Sequence, residues 1–487
     1  MLFNSYEFIF VFLPITFFIY FYLNQKKLTE ASKAFLVFSS LFFYSWWNVS
    51  YLPIILSSML FNYVIGNSLN NDEGHYRFSK KSILTFGIVS NIALLAYFKY
   101  TDFMIDNLNY WIFTENIPNI NLALPLAISF FTFQQISYLV DSYKQETAEY
   151  DFLNYALFVT FFPQLIAGPI VHHKEMMPQF AKLRNKVKNY RNIAMGLFIF
   201  SIGLFKKVVI ADTFAIWATN GFDNVETLTF IAAWATSLSY TFQLYFDFSG
   251  YTDMAIGLAL LFNIKLPINF NSPYKATDIQ DFWRRWHITL SRFLKDYVYI
   301  PLGGNRKGEF RTYTNLMATF IIGGLWHGAG WTFVFWGFLH GIALVIHRAW
   351  SKLGFKLWTW LAWLITFNFI NISWVFFRAK EWDDALKVLG SMFSLDNVVL
   401  PNCLASKFLF LTNYGVDFGE FVTNIQGEYY TPIWLIAGSV LVLIFKNSTE
   451  KLDTFKLNYT TALWSGIAFV GGVFSLNKVS EFLYFNF

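Results

Sequence analysis

The stretch Asn315–Gly341, NLMATFIIGGLWHGAGWTFVFWGFLHG, decides the fold class of this chain. It is apolar enough to enter a membrane, but glycines interrupt it around His327, and glycine lets helices end, turn and approach one another closely. Between Thr314 and His347 there is room for two spans only if each is short, so the spacing predicts a hairpin whose tip, LWHGAGW, lies within the membrane layer. An ionisable side chain at that depth is a candidate functional residue, and a histidine that only hydrogen-bonds a neighbouring helix is the alternative.

Composition extends the membrane assignment to the whole chain. Of its 487 residues, 55% are hydrophobic and only 14% are charged, far fewer charges than a soluble chain of this length would carry. The apolar residues form blocks of roughly 15–25, the length that crosses a bilayer core. The sequence therefore predicts an all-α, polytopic integral membrane protein with roughly 10–12 transmembrane helices, plus re-entrant and interfacial helices. The net charge of +5 fits basic cytoplasmic loops rather than a nucleic-acid footprint.

The chain is predicted to form one membrane domain, since no internal repeat or low-complexity linker divides it. Its sections are N-terminal helices over residues 1–150, a core over residues 151–350 and C-terminal helices over residues 351–487. The first apolar segment lacks a basic region and a small-residue cleavage site, so it is predicted to be a retained span rather than a signal peptide. The single cysteine, Cys403, excludes an intramolecular disulfide and a cysteine-based metal cluster.

Ten apolar segments are candidate spans by their length and composition. Those in the first third of the chain are Phe3–Leu23, Ala34–Trp47, Leu52–Leu69, Ser82–Phe98 and Asn121–Val140. The later ones are Ile193–Thr219, Phe230–Phe246, Trp358–Phe377, Pro432–Phe445 and Ala462–Phe474. A further apolar piece, Ala255–Ile264, is too short to cross.

Basic loops determine the predicted orientation of these spans. His172–Arg191 and Lys265–Arg311 carry a large excess of lysine and arginine and are predicted to be cytoplasmic. Simple alternation would place the first of these loops outside, so Phe152–Ile170 is predicted to enter and leave the membrane on the same side. Its prolines and glycine supply the helix breaks that such a re-entrant segment needs. The acidic segment Arg378–Thr431 is predicted to be extracytoplasmic.

Charged residues interrupt two of the apolar regions. Lys206 and Lys207 lie within a predicted span, where they are expected to face protein or water, or to reach the interface at the end of a shorter span. Asp247 and Asp253 flank a serine–glycine pair and are predicted to cap helices, with polar groups of a tunnel as the alternative.

A second histidine lies in the basic stretch before the hairpin. Apolar residues recur at helical spacing from Trp283 to Leu294, which predicts an amphipathic helix at or just below the cytoplasmic interface. His287 is expected at the edge of the apolar stripe, one turn from Trp283 and from Ser291. This position would put it at the cytoplasmic mouth of the site.

The polar side of the same helix carries Arg284, Arg285 and Arg292. Arginines at a membrane interface suit the phosphate groups of an acyl donor or of lipid headgroups, because the guanidinium binds phosphate oxygens in pairs. The alternative is plain anchoring of a cytoplasmic loop by positive charge.

Two long motifs resemble the paired signature of the membrane-bound O-acyltransferase (MBOAT) family: RRWHITLSRFLKDYVYIPLGGNR at residues 284–306 and IGGLWHGAGW at residues 322–331. FFPQLIAGPIV, YFDFSGYTDMAIGLA, NFNSPY and the terminal EFLYFNF are similar to the bacterial branch of alginate and peptidoglycan O-acetyltransferase membrane subunits. The D-alanyl transferases of teichoic acid have close core motifs, but EFLYFNF and the overall length favour the O-acetyl group.

The resemblance implies an acyltransferase with the MBOAT fold, in which His327 is the catalytic base and His287 a second important histidine. It implies a cytoplasmic thioester donor, acetyl-CoA or a group derived from it, and a hydroxyl of a periplasmic polysaccharide such as peptidoglycan or alginate as the acceptor. Membrane lipid and a periplasmic partner protein of the SGNH type are the implied partners. The implied location is the bacterial inner membrane.

The chemistry of the residues agrees with this assignment. Acyl transfer from a thioester needs a deprotonated, well-placed hydroxyl, and a neutral imidazole, with a reference pKa of about 6.5, can take that proton near pH 7. No G-x-S-x-G elbow or phosphate-loop spacing occurs, and the adjacent His172 and His173 lack metal-ligand spacing, so neither a metal nor a bound cofactor is expected. The alternative to an enzyme is a transporter with histidines along a solute path, although the repeated halves usual in transporters are not visible.

Overall fold

Helices form most of the chain, because an apolar segment must satisfy its own backbone hydrogen bonds inside a membrane. The computed structural model describes residues 1–70, 79–112, 117–146, 151–476 and 483. Within these residues the only strands are Val398–Pro401 and Val416–Gly419, which pair in parallel with Val398 opposite Val416. The predicted all-α class is therefore confirmed.

The chain folds into two compact units that alternate along the sequence. As far as the structure describes them, the first unit comprises Met1–Leu204, Tyr251–Ile268 and Thr454–Asn486, and the second comprises Phe205–Gly250 and Asn269–Asp453. Helix Phe230–Leu261 contributes residues to both units. The expectation of a single domain stays a prediction.

The first unit has an aromatic core, in which the ring of Phe8 lies 5.6 Å from that of Phe43 and 6.0 Å from that of Phe162. Its helices are Phe8–Phe12, which continues as Leu13–Gln25, then Thr29–Ser45, Val49–Tyr51, Leu52–Asn70, Lys80–Lys99, Thr101–Trp111, Ile128–Tyr143, Phe152–Thr160, Phe162–Leu165, His173–Ala181, Leu183–Lys186, Tyr190–Phe205 and Tyr459–Phe474.

The second unit contains Glu309–His327 and Trp331–Leu353, the two helices that we call the central hairpin. Its other helices are Lys206–Ala211, Asp212–Thr219, Asn220–Asn224, most of Phe230–Leu261, Pro273–Lys275, Ile279–Arg285, Ile288–Leu294, Lys295–Tyr299, Thr359–Arg378, Trp382–Phe393, Asn402–Leu404, Ala405–Phe408, Leu409–Tyr414, Thr423–Ile425, Thr431–Leu443 and Ser448–Asp453.

Six helices of the described residues are long and apolar enough to cross a membrane: Phe8–Gln25, Val49–Asn70, Lys80–Lys99, Tyr190–Asn224, Trp331–Leu353 and Thr359–Arg378. Two shorter apolar helices, Thr431–Leu443 and Tyr459–Phe474, match the last two predicted spans. The chain is thus a multi-pass membrane protein. At the remaining predicted spans the helices are shorter or have different bounds. For example, the helix within Asn121–Val140 begins only at Ile128.

The segment predicted to be re-entrant is broken as expected. Helix Phe152–Thr160 stops at Phe161, one further turn follows, and the chain is irregular around Gly168. A Cβ at Gly168 would overlap the backbone of Gln164, so glycine is required at this bend. The predicted orientation requires this break, because the segment must turn back to the side of the membrane from which it entered.

Cysteine labelling tests that orientation. Single cysteines at Lys186 and Asp383 are expected to react with a membrane-impermeant maleimide from opposite sides, because the loop that holds Lys186 is basic and the segment that holds Asp383 is acidic. The background must carry Cys403→Ser, since Cys403 is exposed. Permeabilised cells should label at both positions, and labelling of both from one side of intact cells would contradict the re-entrant assignment.

The predicted capping role of Asp247 and Asp253 is wrong, because both lie inside the continuous 32-residue helix Phe230–Leu261. Asp247 is satisfied instead by Lys207, whose Nζ lies 2.6 Å from Oδ1 of Asp247 and 3.0 Å from Oδ1 of Asp212. Lys207 is 3% exposed, which confirms that it faces protein. A carboxylate paired in this way does not need the free N–H groups of a helix end. The helix therefore continues through Asp247, and the predicted span Phe230–Phe246 joins the apolar piece that begins at Ala255.

Candidate active site

The central hairpin predicted from the glycine-rich stretch is confirmed. Its first helix ends at His327. Its arms approach closely because glycines face backbone atoms across the hairpin. A Cβ at Gly324 would overlap the carbonyl oxygen of Phe333, and a Cβ at Gly337 would overlap that of Phe320. Small residues at such contacts are what allow two helices to pack at short range.

His327 lies in a closed aromatic box and is 3% exposed. The centre of its ring is 4.9 Å from that of Trp326, 5.2 Å from that of Trp336 and 5.0 Å from that of Phe377. Apolar walls on these sides keep bulk water away from the imidazole. A base in such a setting can take a proton from a bound hydroxyl without competition from solvent.

His287 interrupts the helix in which it was predicted to lie. Helices Ile279–Arg285 and Ile288–Leu294 flank it, and its backbone has a φ of 41°, in the left-handed region. The prediction of one continuous amphipathic helix is therefore wrong, and so is the position at the cytoplasmic mouth, because His287 is 0% exposed. Left-handed backbone is unfavourable for a histidine, so side-chain contacts must stabilise this conformation.

Asn269 provides those contacts. Its Oδ1 lies 3.1 Å from Nδ1 of His287 and accepts hydrogen bonds from the backbone N–H (3.1 Å) and the hydroxyl (2.9 Å) of Thr289. An oxygen acceptor at Nδ1 places the proton of the neutral ring on that nitrogen. Burial lowers the pKa of His287 to about 3, so the ring stays neutral at physiological pH.

Trp326 connects the two predicted histidines. Its ring centre is 6.3 Å from that of His287 and 4.9 Å from that of His327. The ring of Phe248 also packs against His287, at right angles and with the ring centres 4.7 Å apart. The structure therefore brings the two histidines to the same tryptophan, although they are forty positions apart in the sequence.

A basic cavity of about 640 Å³ opens beside the hairpin. Its apolar walls include Trp283, Leu294, Leu316, Phe320 and Leu344, and its basic side chains are Arg284, Lys295, His347, Arg348 and Lys352. Glu309 pairs with Arg348 at 3.1 Å and with Lys352 at 2.7 Å, and these two partners lower the pKa of Glu309 to about 2. Within the described residues no carboxylate pairs with Arg284 or Lys295. The cavity thus combines two free positive charges with an apolar interior.

Of the three arginines singled out in the sequence, only Arg284 lines this cavity. The Nε of Arg285 is held at 2.9 Å from both carboxylate oxygens of Asp281, and Arg292 lies outside the lining. Three further basic residues line the cavity that the sequence analysis did not single out: Lys295, Arg348 and Lys352. The available signal was the spacing of Leu344, Arg348 and Lys352, which places one apolar and two basic side chains on one helix face.

The cavity ends on the helix face that carries His327. Thr319 lines the cavity, Gly323 follows one turn later and His327 one turn after that, a rise of about 12 Å over eight residues. A Cβ at Gly323 would meet only Cδ1 of Leu294, at 3.2 Å, and Leu294 lines the cavity as well. Leu294 therefore packs against Gly323 and stands between the cavity and His327.

A third histidine, His340, was not singled out from the sequence, although it lies in the return arm of the hairpin. Trp283 donates its indole N–H to Nδ1 of His340 at 3.2 Å, and Nε2 lies 3.1 Å from the hydroxyl of Ser373. Because an indole can only donate, Nδ1 accepts and the proton of the neutral ring is on Nε2. Both ring nitrogens of His340 are therefore occupied.

Comparison with known proteins gives a consistent result. The model of the MBOAT, or membrane-bound O-acyltransferase, family matches residues 8–380. The peptidoglycan O-acetyltransferase of Helicobacter pylori is 51% identical, over 100% of this chain and 98% of that protein. The probable alginate O-acetylase AlgI of Pseudomonas aeruginosa is 41% identical, over 81% of this chain and 75% of that protein. The teichoic acid D-alanyltransferase of Streptococcus thermophilus is 29% identical, over 52% of this chain and 68% of that protein.

Proposed function

The chain belongs to the membrane-bound O-acyltransferase family and is an acyltransferase of that type, and from this premise we propose that it O-acetylates peptidoglycan from the bacterial inner membrane. The similarity to the peptidoglycan O-acetyltransferase extends over the whole chain, whereas the alginate O-acetylase matches 81% of it. D-alanyl transfer to teichoic acid is the weaker alternative, because that relative matches only 52% of the chain. A transporter without acyl chemistry does not fit membership of this family.

The observation that carries the proposal is the position of a basic cavity and a buried histidine along one helix. Arg284 and Lys295 are suitably charged to bind the phosphates of acetyl-CoA, and the apolar walls suit its slender thioester arm. The helix face from Thr319 to His327 runs from the cavity to the imidazole, and the proposed path along it requires the side chain of Leu294, which packs on Gly323, to move aside. This geometry supports a bound acetyl-CoA with its phosphates at the rim of the cavity and its thioester at His327.

The transfer itself needs only one base. In the proposed step, His327 takes the proton of the acceptor hydroxyl as the hydroxyl oxygen attacks the carbonyl carbon of the thioester. The carbon–sulfur bond breaks, and His327 returns the proton to the departing thiolate, so no proton is gained or lost overall. His287 contacts Trp326 and supports the box around His327. We propose an SGNH-type periplasmic protein as the partner that delivers the acetyl group to the polymer.

Charge reversal in the cavity tests the donor. Arg284→Glu and Lys295→Glu are each expected to raise the KM for acetyl-CoA about tenfold or more and to leave kcat within about twofold, because a charge-assisted hydrogen bond is lost away from the reacting atoms. Turnover of labelled acetyl-CoA by the purified protein in detergent measures both constants. Arg311→Glu is the control, since Arg311 is exposed at the start of the same hairpin and lies outside the cavity lining.

Two results would count against the donor assignment. An unchanged KM in both cavity variants would remove the cavity from the donor path. Wild-type protein that never consumes acetyl-CoA, in a membrane that still O-acetylates its polymer, would show that a different donor is used.

A further inference from the structure

Beyond His327, the hairpin places one more polar group where the reaction would occur. We propose that the indole N–H of Trp336 donates a hydrogen bond to the carbonyl oxygen of the acyl thioester and stabilises the negative charge that forms there during transfer. The inference rests on the proposed function, because it needs a thioester reacting at His327. It assigns Trp336 as a second catalytic residue of the site.

The first observation is an unused donor in a closed core. Trp336 is 1% exposed, and its Nε1 has no hydrogen-bond partner among the residues that the structure describes. Buried N–H groups are nearly always paired, and an exception in a well-packed core marks either strain or a role towards a ligand. Trp234 illustrates the usual case, since its Nε1 donates to the carbonyl oxygen of Met392 at 2.9 Å.

His340, the histidine whose ring centre is nearest to that of Trp336, cannot accept the indole N–H. The closest ring centre to that of Trp336 among the three histidines is that of His340, at 4.7 Å, but both nitrogens of His340 are engaged by Trp283 and Ser373. Trp374 stacks on Trp336 at 5.7 Å with an interplanar angle of 16°. Packed against such rings, the indole is held in one orientation.

The second observation is the position of the donor relative to the base. The rings of Trp336 and His327 meet at right angles, with their centres 5.2 Å apart. In the proposed complex, a substrate whose hydroxyl is within hydrogen-bond reach of His327 has its reacting carbon beside Trp336. The box offers an N–H to a carbonyl oxygen at that point, in a site that excludes water and so strengthens the bond.

As the hydroxyl oxygen bonds to the carbonyl carbon and its proton passes to His327, the π electrons of the carbonyl move onto oxygen. Trp336 donates its hydrogen bond to that oxyanion and keeps its own proton. When the carbonyl re-forms, the carbon–sulfur bond breaks and His327 protonates the thiolate, which leaves an ester and a free thiol.

The test is Trp336→Phe, which keeps an aromatic ring and removes the N–H. We expect kcat for acetyl-CoA to fall about 10²–10³-fold, the usual effect of removing one oxyanion donor, with KM within about twofold. Thermal stability should be unchanged or higher, because the variant removes a buried donor that had no partner. A kcat within about threefold of the wild type would overturn the proposal, and so would a loss of activity that only follows a loss of folded protein.

Trp234→Phe is the matched control, because it removes an indole N–H that is already paired and far from the three histidines in the contacts described. Trp234→Phe should lower thermal stability and leave kcat per folded molecule unchanged. This pattern is the opposite of the one expected for Trp336→Phe. Polymer O-acetylation in cells, at matched protein level, should fall in Trp336→Phe whichever thioester is the donor. Wild-type protein that acetylates no polymer would end the proposed function, and a folded, active His327→Ala protein would end the assignment of His327 as the base, whereas normal acetylation by Trp336→Phe alone would end only this inference.

Discussion

Replacing His327 with alanine or glutamine is expected to abolish O-acetylation while the protein still folds and inserts. General base catalysis contributes about 10²–10⁴-fold to rates, and neither replacement can accept the hydroxyl proton at this position. The side chain is enclosed by Trp326, Trp336 and Phe377, so no solvent base can take its place. The loss should therefore appear in kcat rather than in the KM for the donor.

The control for this prediction is the amount of folded protein. Turnover of labelled acetyl-CoA and the thermal unfolding midpoint should be measured on the same purified sample of each variant. If His327 has only a structural hydrogen-bonding role, yield or stability will fall while activity per folded molecule is retained. A folded His327→Ala protein with near-normal turnover would end the catalytic assignment.

Gly337→Val is expected to prevent the central hairpin from forming and to leave little folded protein in the membrane. A side chain at this position would overlap the carbonyl oxygen of Phe320, which cannot move without displacing the facing helix. Overpacking a close-packed core costs about 1–3 kcal/mol when side chains can adjust, and a backbone clash leaves less room for adjustment. Because His327 lies at the end of that facing helix, its aromatic box would be lost as well.

Size-exclusion chromatography of fluorescently tagged protein in detergent measures the folded fraction. Gly390→Val is the matched control, since Gly390 also lies inside a helix but a Cβ there meets no atom within 4 Å. The control should elute as the wild type does, with a small penalty for helix propensity at most. A Gly337→Val protein with a normal elution profile and normal yield would contradict the close approach of the two arms.

The hairpin could be predicted from sequence because its cause is local. Four glycines around His327 and the short distance between Thr314 and His347 leave few alternatives for the backbone. The position of His287 could not be predicted in this way. The apolar periodicity continues through it, and what breaks the helix is Asn269, eighteen residues earlier, which holds the imidazole inside the core.

The roles of the cavity residues and of the buried ion pair could not be predicted from the sequence either. Basic residues next to a span have the same composition whether they anchor a loop or surround a cavity, so Lys295 and Arg348 could not be told apart from topological charges. Asp247 stands beside serine and glycine, a local pattern typical of a helix cap, yet its partner Lys207 lies forty positions earlier. Long-range contacts decide these roles, and a single sequence does not contain them.

The pair between Lys207 and Asp247 also constrains how the chain is made. A lone lysine or aspartate at the middle of a hydrophobic helix opposes insertion by about 3 kcal/mol. Only residues 225–229 separate the segment Tyr190–Asn224 from helix Phe230–Leu261, so the two emerge from the ribosome in immediate succession. Lys207 pairs with Asp212 of its own segment at 3.0 Å and with Asp247 at 2.6 Å, so the carboxylate of Asp247 gains its cation only when both segments are present. We therefore expect the translocon to release both helices into lipid together as one hairpin rather than one at a time.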